Sequence, residues 1–264
     1  MNAAAGGAGA AGGAARAVWV GHATVLIELD GARLLTDPVL GSGLGPLRRR
    51  GPMPPRGVGE DLDAVLISHL HRDHVDLRSL HRVGRGVPLM VPAGTGAFFA
   101  RHGFGRAIEL APGESRPVGA LTVTATRADH EIGRRGIDGE PLGFLVEGSR
   151  RVYFAGDTDL FDGMGALGDR GLDLALLPVW GWGPTLGPGH LDPERAARAA
   201  ALLRPRLAVP IHWGTFYPAG LSRLRPGPLV GPPREFAART ADLAPSVEVR
   251  VVAPGASVAL PPPS

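Results

Sequence analysis

Residues 68–74 read SHLHRDH and follow directly on DAVLIS, a short apolar run with the length and composition of a buried strand. Three of the nine histidines are thus crowded beside a carboxylate as the chain leaves a strand. In an extended segment side chains alternate, so His69 and His71 point the same way and can grip one ion together. The chain must then turn, and Asp73 and His74 offer an oxygen and a nitrogen a little farther along. Asp76 reads instead as the cap of the next helix. The chain has no cysteine, which excludes disulfides, thiolate sites and cysteine nucleophiles, so any metal must sit on nitrogen and oxygen.

Three further candidates each follow an apolar strand: His130 ends LTVTATRADH, Asp157 ends RVYFAGD, and His212 ends LAVPIH. With the heptapeptide they make five imidazoles and two carboxylates, enough for two divalent metal ions when one carboxylate bridges. Zinc is the first expectation, and manganese and iron suit the same donors. His81 and His102 are isolated and read as surface or helix residues.

Residues 1–16 are almost entirely alanine and glycine and read as a disordered tail without signal-peptide character. Residues 17–264 are expected to form a single domain. No run of about eighteen uncharged apolar residues occurs, so a transmembrane segment is not expected and a cytoplasmic protein is. The net charge is +3. The basic residues are all arginine and scattered, with Arg48 to Arg50 the one dense run, which argues against a nucleic-acid partner.

AVWV, TVLIEL and RLLTD read as a β-meander with a hairpin turn at Asp30-Gly31. Residues 41–60, rich in Gly, Pro and Arg, read as a long surface loop. PLMVP, AIEL, LTVTATRA, GFLVEG, RVYFAG, LDLALLPV and LAVPIH read as strands. Helices are expected at GTGAFFARHG, at DPERAARAAALLRP with Asp192 as cap and Pro205 as stop, and at PPREFAARTADLA. VEVRVV and SVAL complete a sheet. Two halves of strands followed by helices fit an α/β fold, a two-sheet sandwich with helices outside.

SHLHRDH, ADH, FAGDT and PIHWGTF, in this order and spacing, resemble the metallo-β-lactamase fold superfamily of metal-dependent hydrolases. WVGHATVLIELDGARLLTDPVL, GHLDPERAARAA and IHWGTF resemble its branch containing N-acylphosphatidylethanolamine-hydrolysing phospholipase D and ascorbate-6-phosphate lactonase. The resemblance implies an αβ/βα four-layer sandwich, with His69, His71 and His130 on one metal and Asp73, His74 and His212 on the other. Asp157 would bridge them.

Two such ions, roughly 3.5 to 4 Å apart, would share a water and hold it as hydroxide against a phosphodiester or ester. Asp73 would orient it and take its proton, and His190, beside the Asp192 cap, would contact the substrate. His22 and Asp37 would support the ligands through hydrogen bonds. The 41–60 loop could overhang the site with Arg48 to Arg50 and Met53, and Trp180, Trp182 and Trp213 could line its mouth. The expected function is a phosphodiesterase on a small, lipid-like substrate. A lactonase or other carboxylic-ester hydrolase and a non-catalytic metal-stabilised binding module are the alternatives.

Overall fold

The Asp30-Gly31 hairpin forms with both residues at left-handed φ, 50 and 82, as a tight two-residue turn between twisted strands requires. It joins Thr24–Leu29 to Ala32–Thr36, and Arg16–Gly21 completes the meander on the other side. This is seen in a computed structural model describing residues 15–131 and 139–263. Residues 1–14, most of the expected tail, lie outside the described residues.

Among the described residues there are two seven-stranded sheets. The first runs Ser257–Ala259, Arg16–Gly21, Thr24–Leu29, Ala32–Thr36, Ala64–Leu66, Leu89–Pro92, Ala107–Leu110. The second runs Glu248–Val249, Leu207–Ile211, Leu174–Pro178, Arg151–Phe154, Leu142–Glu147, Leu121–Arg127, Ser115–Val118. Each is antiparallel on one side, where its strands meander, and parallel on the other, where helices make every crossover but the one from Ala32–Thr36 to Ala64–Leu66.

Alternation along the strands assigns their faces. Leu174, Leu176, Leu207, Val209 and Ile211 join Trp19, Val25 and Ile27 in one core between the sheets. Their neighbours Ala175, Leu177 and Ala208 pack instead with Met164, Ala196, Ala200 and Phe236 of the helices Met164–Gly168, Pro193–Leu203 and Gly231–Leu243. On the first sheet, Leu89 and Val91 pack with Leu80 and Phe99 of the helices Leu77–Val83 and Gly96–Arg101. The result is the expected helix–sheet–sheet–helix sandwich. Strands buried on both faces explain why these segments read as unbroken apolar runs.

The expected caps are in place. The Asp192 carboxylate accepts from the Arg195 N–H at 2.8 Å, and Asp76 accepts from the Ser79 N–H at 3.1 Å. Pro193–Leu203 ends at Arg204, left-handed with φ 47, just before Pro205.

Several elements differ from expectation. Residues 41–60 are not wholly loop: Gly43–Leu44 and Leu47–Arg49 form a hairpin that pairs with Phe216–Pro218 in a third, small sheet. Only tertiary pairing stabilises it, since its own sequence lacks alternation. VEVRVV yields just Glu248–Val249, on the second sheet, whereas Ser257–Ala259 of SVAL pairs with Arg16 to Val18 on the first. The C-terminal segments thus close both sheets rather than one. The edge strand Ser115–Val118, whose Pro117 is tolerated at an edge, and the short helix Met164–Gly168 carry no comparable pattern.

Candidate metal centre

The site forms where the parallel strands end. Asp37 follows Ala32–Thr36, His69 follows Ala64–Leu66, Asp157 follows Arg151–Phe154 and His212 follows Leu207–Ile211. A tight turn after His71, with the His74 N–H on its carbonyl at 3.0 Å, brings Asp73 and His74 back toward the same point. His130 arrives beyond Leu121–Arg127.

All seven expected ligands converge. His69, His71 and His130 can present one donor each within 4.8 Å of one another, and so can Asp73, His74 and His212, together with His22. Asp157 lies between the two groups, with Oδ2 3.1 Å from His74 Nε2 and 4.0 Å from His69 Nε2, and Oδ1 3.2 Å from His212 Nε2. His130 Nε2 approaches His71 Nδ1 to 3.1 Å, and His74 Nε2 approaches His212 Nε2 to 3.1 Å.

The outward-facing nitrogens explain these orientations. His69 Nδ1 meets Ser68 Oγ at 2.9 Å, and His74 Nδ1 meets Asp37 Oδ2 at 2.7 Å. His130 Nδ1 donates to the Gly189 carbonyl at 2.6 Å, and His212 Nδ1 to the Trp180 carbonyl at 2.8 Å. With Nδ1 engaged, each of these rings turns Nε2 inward, the arrangement that metal-ligating histidines adopt. His69 Nε2 and Asp157 Oδ1 are buried without a hydrogen-bond partner. An orphaned imidazole nitrogen and carboxylate oxygen aimed at one cluster fit a divalent cation.

Electrostatics point the same way. Burial alone would raise Asp73 and Asp157, but the approach of His212 at 3.6 Å and the hydrogen bond from His22 pull Asp73 well below the carboxylate range, and the nearby His212 and His74 do so for Asp157. Burial lowers His69 and His71 and brings His130 down to about 4. The pocket therefore holds two ionised carboxylates beside neutral imidazoles at His69, His71 and His130. His74 differs from these three, because Asp157 and Asp37 outweigh burial and hold it well above its ordinary value. A cation at Nε2 would displace that proton.

His22, Asp37 and His212 all have left-handed backbones, with φ 55, 34 and 62. Such conformations cost of order 1–3 kcal/mol each outside glycine and persist where surroundings impose them. Here the His212 N–H donates to the His22 carbonyl at 2.9 Å, and the His22 N–H donates to Thr215 Oγ1 at 2.7 Å. The reward is the His22 Nε2–Asp73 Oδ2 contact at 2.9 Å. Burial brings His22 down to about 3, so a neutral ring makes it. His22 and Asp37 thus occupy the supporting positions expected of them. Ser68, which also donates its backbone N–H to Asp37 Oδ1 at 2.8 Å, and Thr215 carried no such signal in the sequence.

A cavity of about 450 Å³ opens onto the cluster, reaching His71, Asp73, Asp157 and His190. His190 Nε2 is 3.4 Å from Asp157 Oδ2, and although burial opposes it, the hydrogen bond to Asp157 raises His190 to about 9. The hairpin tip overhangs this cavity, but with Leu44 to Leu47 rather than the arginines. Arg49 is turned inward, donating to the Val39, Gly41 and Val20 carbonyls and covering the Phe216 ring. Met53 lines a separate depression beside Leu40 and Arg82. Of the three tryptophans only Trp182 lines the mouth; Trp213 packs on Trp19 at 5.0 Å, and Trp180 Nε1 donates to the Gly183 carbonyl. His81 and His102 lie elsewhere, against Phe104 and the Phe98 carbonyl.

Residues 32–213 match the family described as beta-lactamase superfamily domain. A metal-dependent hydrolase of Deinococcus radiodurans is 37% identical, over 91% of this chain and 97% of its own length. An N-acyl-phosphatidylethanolamine-hydrolyzing phospholipase D of Caenorhabditis elegans is 34% identical over 77% of this chain. The chain spans 65% of that protein, and 60% of three mycobacterial proteins that are 36% identical to it. The solved structure of a metallo hydrolase from Ignicoccus hospitalis superposes with TM-score 0.71 at 26% identity, covering 93% of this chain and 98% of the other.

Proposed function

The chain belongs to the beta-lactamase superfamily of metal-dependent hydrolases, and on that premise we propose that it is a dinuclear phosphodiesterase, with residues 17–264 as one catalytic domain. His69, His71 and His130 would hold one divalent ion and Asp73, His74 and His212 the other, with Asp157 shared. Zinc is proposed first, given donors of nitrogen and carboxylate oxygen alone. The observation that carries this assignment is the convergence of seven donors from four chain segments, with His69 Nε2 and Asp157 Oδ1 buried and unpartnered.

Such ions supply Lewis acidity to a phosphoryl or carbonyl oxygen and bring the pKa of a water toward neutrality. The protein's own groups do the rest. Asp73, kept ionised and oriented by His22, accepts the proton of the attacking water. The water oxygen bonds to phosphorus as the bond to the leaving oxygen breaks, and the proton passes to that oxygen. His190, at the cavity, meets an anionic oxygen of the substrate through its Nε2. The nematode relative's name supports a phosphodiester in a lipid-like molecule.

The test is a panel of phosphodiesters, including a phospholipid, with lactones and carboxylic esters, on protein stripped of metal and reloaded with zinc, manganese or iron. Diester turnover restored by metal is expected. Turnover confined to lactones would replace the phosphodiesterase by an ester hydrolase. Full metal content with no turnover on any ester would favour a binding module.

A further inference from the structure

His130 stands beyond Arg127, the last residue of Leu121–Arg127, which pairs with Leu142. The ladder that aligns this strand therefore ends before the histidine is reached. Its ring is held from one side by the Gly189 carbonyl. Its backbone is held from another by the segment that carries Asp157: the Asp129 N–H donates to Thr158 Oγ1 at 2.8 Å, and the Asp159 N–H donates to the Asp129 carbonyl at 2.7 Å.

Thr158 is fully buried, and its hydroxyl is used in both directions, accepting from Asp129 and donating to the Asp159 carbonyl at 2.8 Å. Asp159 is anchored in turn. Its Oδ2 lies 2.7 Å from the Arg195 guanidinium on Pro193–Leu203, and its Oδ1 accepts the Leu160 N–H. Asp157 has support of its own from Arg151–Phe154, which is paired on both edges. A well-supported segment carrying Asp157 and a less supported one carrying His130 are thus joined at Thr158. With Thr158 next to Asp157 in sequence and Asp129 next to His130, this one hydroxyl fixes how far the carboxylate stands from the ring.

Resting on the metal assignment above, we propose that Thr158 is a positioning residue for one half of the centre: its hydroxyl sets the separation of His130 from the Asp157 carboxylate, and with it the affinity of the ion held by His69, His71 and His130. Asp73, His74 and His212 come from other segments, so the ion they hold does not depend on Thr158. Because Asp157 keeps its strand, loss of the hydroxyl falls on His130. Valine has nearly the shape of threonine and makes neither hydrogen bond, whereas serine can make both.

Titration of the metal-free full chain with cobalt(II), in competition with a chromophoric chelator, reads the affinity of each ion. Thr158→Val should weaken one ion by about 10- to 100-fold and leave the other within about threefold, while Thr158→Ser restores most of the loss. Thr158→Ala, which cannot crowd its buried surroundings, should behave as Thr158→Val does. Thr240→Val serves as the control for a buried threonine on Gly231–Leu243 whose Oγ1 has no hydrogen-bond partner among the described residues, and should change neither ion. In a His130→Ala background, Thr158→Val should cost the remaining ion nothing further, because the residue it acts through is gone. Equal weakening of both ions, the same loss with and without His130, or no loss at all would overturn the inference. A parent that binds a single ion would end the dinuclear reading, and Thr158 would keep its role only if that ion weakens in Thr158→Val.

Discussion

At the scale of single residues, the centre depends on what each imidazole does with its outer nitrogen. His69, His74, His130 and His212 are aimed by Ser68, Asp37, Gly189 and Trp180 respectively. Ser68→Ala should therefore weaken metal binding by about 10- to 100-fold without removing any ligand. Chelator competition checks this, and unchanged affinity would mean that the rings are fixed by packing alone. Asp73→Asn should lower kcat at least about a hundredfold while far-UV circular dichroism stays that of the parent. Activity close to the parent's would refute the role of Asp73. The donors were legible because histidine and aspartate at strand ends, in one heptapeptide and three later sites, are rare without a shared purpose. Ser68 and Thr215 were not legible, since serine and threonine are common in turns and their partners are 31 and 193 residues away.

At the scale of elements, strands and helices with strong periodicity or caps could be read directly, such as Thr24–Leu29 with its hairpin turn and Pro193–Leu203 with Asp192. The hairpin Gly43 to Arg49 could not. Its glycines and arginines resemble a solvated loop, and only the distant strand Phe216–Pro218 and the inward turn of Arg49 give it structure. Arg49→Ala should cost about 2–4 kcal/mol, since it strands buried carbonyls as well as removing the cation over Phe216. Chemical denaturation measures this, and a loss below about 0.5 kcal/mol, typical of surface substitutions, would show the hairpin to be held otherwise. Gly21 sits beneath the same hairpin at φ 129, and a Cβ there would come within 2.8 Å of Thr215 Cγ2 and 2.9 Å of the Arg49 guanidinium. Gly21→Ala should thus disturb His22, lowering both stability and turnover.

At the scale of the whole molecule, the sandwich brings strand ends from both sheets to one place. His22, Asp37 and His69 come from the first sheet, and His130, Asp157 and His212 from the second. Metal bound there links the two sheets, so chelation should lower the thermal midpoint; free metal a thousandfold above its dissociation constant contributes about 4 kcal/mol. The two-sheet class was visible in the recurrence of strands then helices. The exchange at the C-terminus, where Glu248–Val249 closes one sheet and Ser257–Ala259 the other, was not, because strand partners are chosen by tertiary contact and not by local pattern. The most direct test of a dinuclear centre is elemental analysis of purified protein beside His130→Ala and His212→Ala. About two divalent ions per chain are expected in the parent and about one in each variant. A parent with almost no bound metal, or variants that keep the parent's content, would contradict it.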